Sequence, residues 1–328
     1  MQVSVSDIHA VSEAALRAHG AGAFQADQVA RAVARAEETE NIICGLYYLD
    51  SYCIQLASGR VNGTVEPAVT RPKPGVVLTN ARFGFAQPAF ARGLPQALDA
   101  AKENGVATFS VAHAHTCTSL GFFTEQIAAQ GLIGMGFTNA SAIVAAPGGR
   151  APVLGTNPIA MTIPGDGTPA MHADFSTSAV ALGKITMAKA AGETIPLGWA
   201  VDASGKPTTD PEAALAGALV SAAGPKGWAF GLLVEVMAAG LTGSVNSLDV
   251  RGLKLADGAP HDLGQTYLLI DPEAHSGGDV MRARLARVAD VIALDGGDGR
   301  IPGVPRRQID PVEVPDVLWA QAQALARA

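Results

Sequence analysis

Across residues 1–62 apolar positions recur at helical spacing. Ile8, Val11, Ala15 and Leu16 share one face of a segment that Ser6 or Asp7 would cap. Gln25 to Glu40 is an Ala-rich amphipathic run, and Cys44 to Leu56 is a second apolar-periodic run. The SGRVNG stretch at 58–63 then breaks the pattern. Pro67, Pro72 and Pro74 make 64–82 an extended connection, with a short strand at Val76–Leu78. Helix-like and strand-like segments alternate afterwards. Helices are predicted over Ala89–Asn104, Thr118–Gln130, Ala179–Ala191, Trp228–Leu241 and Gly278–Ala289, with a final one from Asp310 onward. Strands are predicted over Val106–Ala112, Leu132–Thr138, Ile159–Ile163, Met171–Phe175 and Gln265–Ile270. This alternation predicts an α/β or α+β protein. No linker interrupts the composition, so its domains are expected to interleave.

Composition narrows the function. Of 328 residues, 48% are hydrophobic and 16% charged, enough apolar surface for a large core. The net charge of −7 comes with no long basic run, which argues against nucleic-acid binding. A small anionic substrate remains compatible with an acidic chain, because a local site can be positive. No segment is apolar for long enough to span a membrane, and the N-terminus lacks the pattern of a signal peptide. Cys44, Cys53 and Cys117 match no zinc spacing. An odd set of thiols fits a reducing, cytoplasmic compartment, and no metal site is expected.

No Gly-x-Gly-x-x-Gly joins a strand to a helix with an acidic residue downstream. The nearest pattern, Gly131-x-x-Gly134-x-Gly136, lies within an apolar strand and reads as close packing. Phosphate-loop, nucleophile-elbow and His-Glu-x-x-His motifs are also missing. From pattern alone the chain is an α/β protein with the marks of an enzyme.

Four long stretches say more: GLIGMGFTNASAIVAAPGGRAPVLGTNPIAMTIP (131–164), HADFSTSAVALGKI (172–185), IPLGWAVDASGKPTTDPEAALAGAL (195–219) and GPKGWAFGLLVEVMAAGLTG (224–243). Together with RIPGVP (300–305) they resemble, in order, the type-2 malate/L-lactate dehydrogenase family. That family includes reductases of 2-oxo acids and of cyclic imines such as Δ1-pyrroline- and Δ1-piperideine-2-carboxylate. The resemblance implies a non-Rossmann NAD(P)-binding α/β fold, NAD or NADP as cofactor, and a homodimer with the site near the subunit interface. It implies a helical N-terminal segment (1–62) contributing to the substrate site. A main α/β domain (63–115 and 245–328) and a cofactor-binding domain (116–244) would follow.

Cofactor contacts carry over to Thr116, to Gly155, Thr156, Asn157 and Pro158, to Asp174, Ser176, Thr177 and Ser178, to Lys226 and Gly227, and to Pro302 and Gly303. The chemistry is sensible, since a dinucleotide needs small residues, hydroxyls and free backbone N–H groups beside its pyrophosphate. Plainer roles stay open: Asn157 and Pro158 as turn residues, the Ser/Thr group as a helix cap, Lys226 as a solvated surface lysine.

The catalytic stretch departs from the family. Where the family carries Ser-His-Gly, with the His as proton donor, this chain has Ile43-Cys44-Gly45; where it carries an Arg suited to the substrate carboxylate, this chain has Tyr48. Thr116 stands at a second family His position, with His115 one residue earlier. Hydride addition to a ketone leaves charge on oxygen, so it needs a proton donor. His115, His113, Tyr47 and Tyr48 are candidates. A protonated imine needs none at that step, so an imine substrate would tolerate the loss. The expected site residues are therefore Cys44, Tyr48, His115 and His113. The alternatives are a silent homologue that binds a dinucleotide without turnover, or a chain repurposed around Cys44 as a nucleophile, which would need a depressed thiol pKa. Cys44, flanked by Ile42, Ile43 and Leu46, also reads as a packed thiol.

Overall fold

The computed structural model describes residues 1–305 and 307–328. Helix α1 (Val5–Ala18) starts earlier than expected, because Ser4 caps it by accepting from the Asp7 N–H; Asp7 then lies in the first turn beside the helix dipole. Helix α2 spans Ala23–Glu38. The apolar run from Cys44 is not one helix. Gly45, with φ −95° and ψ −134°, splits it into two 3₁₀ turns, Ile42–Cys44 and Leu46–Tyr48, before helix α3 (Leu49–Ala57).

The central sheet contains β1 (Ala68–Lys73), β2 (Val76–Asn80), β3 (Val106–Ala114), β4 (Ile133–Thr138), β5 (Ile159–Ile163), β6 (Met171–Phe175) and β7 (Leu263–Ile270). Its order is β1-β2-β3-β7-β4-β5-β6. The proline-rich connection thus contains a strand, β1, at the sheet edge, where a missing N–H is tolerated. Only β2 and β3 run parallel, joined by the crossover helix α4 (Ala86–Asn104); every other pair in this sheet is antiparallel. Strand β7, late in the chain, is inserted between β3 and β4, so the middle of the sheet forms only after residues 139–262, which include β5 and β6, have preceded it in the chain.

Besides β5 and β6, those intervening residues form a five-stranded sheet and three helices, the shortest at Pro211–Ala216. The small sheet is ordered 207–208, 200–201, 218–219, 144–145, 152–154. Helix α5 (Gly121–Ala128) packs on β4 and β5, α6 is Leu182–Ala191, and α7 (Pro225–Glu235) runs on into a π-helical turn, Val236–Gly240. Helix α8 (Gly278–Asp295) and helix α9 (Asp316–Leu325) complete the chain.

The sheet core is aromatic at its centre. Phe90, Phe109, Phe123 and Tyr267 are fully buried, with ring centroids 4.9 to 5.8 Å apart. Gly134 and Gly136 serve this packing. A Cβ on Gly134 would sit 3.0 Å from Ile127 Cβ of α5, and one on Gly136 would sit 3.0 Å from the Tyr267 ring. A second core joins the chain ends: Val312, Val314, Trp319 and Ala322 pack with Ile8, Leu16, Val29, Val33 and Tyr52, while Gln2–Val3 pairs with Val312–Glu313. A third core, including Val144, Leu154, Ile185 and Leu219, lies under the small sheet.

Candidate active site

The two 3₁₀ turns present Cys44 and Tyr48, and a buried carboxylate holds them. Glu37, on the inward face of α2, accepts from the Leu46 N–H at 2.7 Å. A Cβ on Gly45 would approach Glu37 Oε1 to 2.1 Å, so glycine is required for this close pass. Burial raises the Glu37 carboxyl, opposed by the bond from Leu46. Glu37 was not among the expected site residues. Its signal in the sequence is position: it follows Val29 and Val33 on the apolar stripe of α2, where a charge needs a reason.

Around Cys44 the environment opposes ionisation. Burial first and the nearby Asp174 second push its thiol up to about 12, while Asn41 works against them. Burial also takes the Tyr48 phenol up to about 12, with Cys44 and Tyr47 adding to the shift. Cys117, buried just beyond, is raised by burial and then by Asp174. Cys44, Tyr48 and Asp174 are thus brought together. A thiol raised in this way is the opposite of what a nucleophilic Cys44 requires.

The two histidines lie elsewhere. His115 is fully buried; its Nε2 pairs with Gln55 Oε1 at 2.8 Å, and its ring stacks on His261 at 4.2 Å. Burial, then His261 and Arg60, hold His115 well below its usual value, so it is neutral. A file of rings separates it from the tyrosines: Tyr48 stacks on Tyr52 (6.2 Å), Tyr52 meets Phe85 (5.5 Å), and Phe85 meets His115 (5.5 Å). His113 is half-buried, with Nδ1 on Asp262 Oδ1 at 2.7 Å and its backbone N–H donating to Ser244 Oγ at 2.9 Å.

The expected cofactor residues fall into two linked groups. In the first, Asp174 at the end of β6 accepts from the Gly121 N–H (2.7 Å) and Ser119 Oγ (3.2 Å). This ties β6 to the 115–120 loop, which is not helical as expected: Thr116 and Thr118 have φ of 39° and 60° and delay α5 to Gly121. Such backbone outliers concentrate at functional loops. The 302–303 turn closes on the same strand, with His172 N–H donating to Pro302 O at 2.9 Å. A Cβ on Gly303 would meet His172 O at 2.5 Å. His172 itself is buried, its Nδ1 on Thr162 Oγ1 at 2.9 Å.

In the second group, Thr177 binds the Gly155–Pro158 turn. Its N–H and its Oγ1 both reach Thr156 O (2.9 and 3.1 Å), and Oγ1 also reaches Asn157 O at 3.1 Å. The Asn157 side chain faces inward and is fully buried. Its Nδ2 donates to Gly231 O (3.1 Å) and Glu235 Oε2 (2.8 Å), and its Oδ1 accepts from Ser247 Oγ at 3.3 Å. Its φ of 36° suits asparagine. Asn157→Ala should cost about 2–4 kcal/mol by orphaning these groups; urea unfolding measures this, and a loss under about 0.5 kcal/mol would contradict it. Ser176 and Ser178 bond to one another at 3.0 Å, Ser178 Oγ donates to Val180 O, and Ser178 pairs with Ser221.

Residue 221 leads to Lys226 and Gly227 at the start of α7. Lys226 is exposed and Gly227 buried. The helix begins after Gly224 with no side-chain cap, leaving N–H groups of its first turn without that partner. Beside it lies a glycine-lined cavity of about 530 Å³, bounded by Pro147, Gly148, Gly149, Ser221, Ala223 and Gly224 among others. Small walls, hydroxyls and an uncapped helix start suit a dinucleotide's phosphates. A nicotinamide cofactor would be held along these segments.

Similarity to known proteins identifies the fold and the family. The family model described as malate/L-lactate dehydrogenase matches residues 3–309. A Δ1-pyrroline-2-carboxylate reductase of Ancylobacter novellus is 36% identical over 99% of this chain and 97% of its own length. A (2R)-3-sulfolactate dehydrogenase (NADP(+)) of Chromohalobacter salexigens is 35% identical, covering 99% and 98%. The crystal structure of Δ1-piperideine-2-carboxylate reductase from Pseudomonas syringae pv. tomato superposes with a TM-score of 0.90 at 31% identity, covering 99% of both chains. The chain therefore belongs to the malate/L-lactate dehydrogenase family and is an NAD(P)-dependent oxidoreductase.

Proposed function

We propose that this enzyme reduces a small cyclic imino acid of the Δ1-pyrroline- or Δ1-piperideine-2-carboxylate type with NAD(P)H. The carrying observation is the state of the donor position. Cys44 and Tyr48 both stand at about 12, too weakly acidic to match a donor poised near neutrality. His115 is sealed behind Tyr52 and Phe85, and His113 is engaged by Asp262. A ketone would leave an alkoxide without a suited acid. A protonated imine arrives with its proton and leaves as an amine.

The cofactor supplies the hydride when bound. In this reading Thr116 and the 155–158, 174–178, 226–227 and 302–303 segments hold it, within the 116–244 unit and its closing turn. The 1–62 helices, through Cys44 and Tyr48, form the substrate wall, and a neutral Tyr48 hydroxyl donates to the substrate. Burial, with Asp174 adding to it, opposes ionisation of Cys44 and keeps that wall uncharged. The activities of these relatives support imine reduction, although one of them is a sulfolactate enzyme.

A homodimer in the cytoplasm completes the proposal. Among the described residues, no helix is long and apolar enough to cross a membrane. Helix α8 buries only Gly278 within the chain and exposes Val280, Val288, Val291 and Leu294. An 18-residue helix with so little of its surface packed gains little within one chain, and a second copy would cover it.

The test follows NAD(P)H oxidation with Δ1-pyrroline- and Δ1-piperideine-2-carboxylate beside linear 2-oxo acids. The imines should turn over at least about a hundredfold faster, a difference of about 2.7 kcal/mol in barrier. Cys44→Ala should keep imine turnover within a few-fold. Equal rates on linear 2-oxo acids, or loss of imine turnover in Cys44→Ala, would defeat the reading.

A further inference from the structure

Tyr48 stands where the resemblance expects an arginine, which leaves the substrate carboxylate without a cation on that segment. We infer that Lys254 supplies it. Lys254 lies far along the chain, in the exposed 251–260 segment that precedes β7. The fold nevertheless lays it across the substrate wall. Its Nζ is 3.9 Å from the centroid of the Tyr47 ring and 5.6 Å from that of Tyr48, and it donates to the Tyr47 hydroxyl. Tyr48 is the residue whose phenol feels Cys44, so the ammonium sits at the rim of the same site.

The backbone that carries Lys254 is fixed on both sides. Gln55 Nε2 donates to Leu253 O (2.5 Å) and Leu255 O (2.8 Å). Arg60 donates from Nη1 to Leu255 O at 2.6 Å and from Nε to Ala259 O at 3.1 Å, and Ser58 Oγ donates to Ala256 O at 2.6 Å. Gln55 and Arg60 are themselves buried. Three residues of α3 and its exit, the helix that continues from Tyr48, thus set the position of the lysine backbone relative to the tyrosines. The side chain remains exposed on a flexible four-carbon stem.

This geometry gives the ammonium two uses. Without substrate, the faces of Tyr47 and Tyr48 hold it, an attraction weak enough at an exposed site to be exchanged. With substrate, a carboxylate beside Tyr48 offers a charge-assisted bond that outcompetes the ring faces. A lysine reaching in from a second segment can place its point charge where a rigid arginine fork on the first would sit. Lys254 thereby selects anionic imino acids, and it takes no part in moving the hydride or a proton.

This assignment rests on the function proposed above, and the experiment separates the two. Wild-type enzyme, Lys254→Met and Lys254→Arg are assayed on Δ1-pyrroline-2-carboxylate. They are also titrated with pyrrole-2-carboxylate and pyrrole-2-carboxamide, two flat, non-reducible probes that differ in charge. Lys254→Met should raise KM at least about tenfold, with kcat changed much less. Its affinity for pyrrole-2-carboxylate should fall by a similar factor, its affinity for the carboxamide and for NAD(P)H should hold, and Lys254→Arg should recover most of the loss. An unchanged KM in Lys254→Met, or equal losses on carboxylate and carboxamide, would overturn the role of Lys254 and leave the reductase reading standing. A wild-type enzyme inert toward the imines would overturn that reading, and this assignment with it.

Discussion

Gly227→Ala should weaken NAD(P)H binding strongly, or prevent the enzyme from folding around that site. The added Cβ would lie 1.7 Å from Ala222 O, a backbone atom in the turn before α7. No rotamer relieves such a contact, so residues 222–227 must move. Ala222 N–H donates to Thr177 O, and Thr177 binds the backbone of Thr156 and Asn157. The displacement therefore passes into both expected phosphate-side segments. Clashes of this class cost about 1–3 kcal/mol or more, and binding should weaken by at least about tenfold. Gly231→Ala, one turn along the same helix, is the control. Its Cβ would meet Thr177 Oγ1 and Leu154 Cδ1 at 3.2 Å, both side-chain atoms. Alanine also gains about 0.5–1 kcal/mol of helix preference there, which offsets the crowding. Cofactor fluorescence titration distinguishes the two. Wild-type affinity in Gly227→Ala would show that the 221–227 turn does not govern cofactor binding.

Acid should destabilise the protein through the His115–His261 pair. His261 is lowered from 6.5 to about 4, by burial first and then by Arg60; His115 is also lowered well below its usual value, by burial, then His261 and Arg60. Between those limits the unfolded chain takes up protons that the folded chain refuses. Stability is therefore whole above the unfolded value and is lost as pH falls from about 6.5 to about 4 for His261, and the His115 shift acts in the same direction. At about 1.4 kcal/mol per unit, His261 alone accounts for about 3 kcal/mol. Urea unfolding near pH 7 and near pH 4 should show this loss, and His261→Phe should reduce the slope. An unchanged slope in His261→Phe would mean that other groups set the acid limit. The same pair sits behind Gln55 and Arg60, so the loop that carries Lys254 should loosen with it.

Much of the fold was legible because local periodicity survives burial. The strands at Ile159–Ile163 and Met171–Phe175 fall where alternation put them, and the others fall within a few residues. Departures occur where one residue overrides the pattern. Gly45 breaks the apolar run after Cys44, and Thr116 and Thr118 in left-handed backbone postpone α5. The strand β1 hid among prolines because edge position excuses a missing N–H.

The sequence by itself determined the family and the cofactor class, since these reside in residue identity and order along continuous motifs. It also marked the Gly155–Pro158 and Asp174–Ser178 stretches. Tertiary structure alone decided what those residues face. It turned the Asn157 amide inward to Glu235, sealed His115 against His261, and brought Glu37 and Lys254 to the Cys44–Tyr48 turns. Those outcomes depend on contacts between segments up to 207 residues apart. No local pattern encodes such contacts, because burial and charge at a position are set by whichever distant segment packs against it.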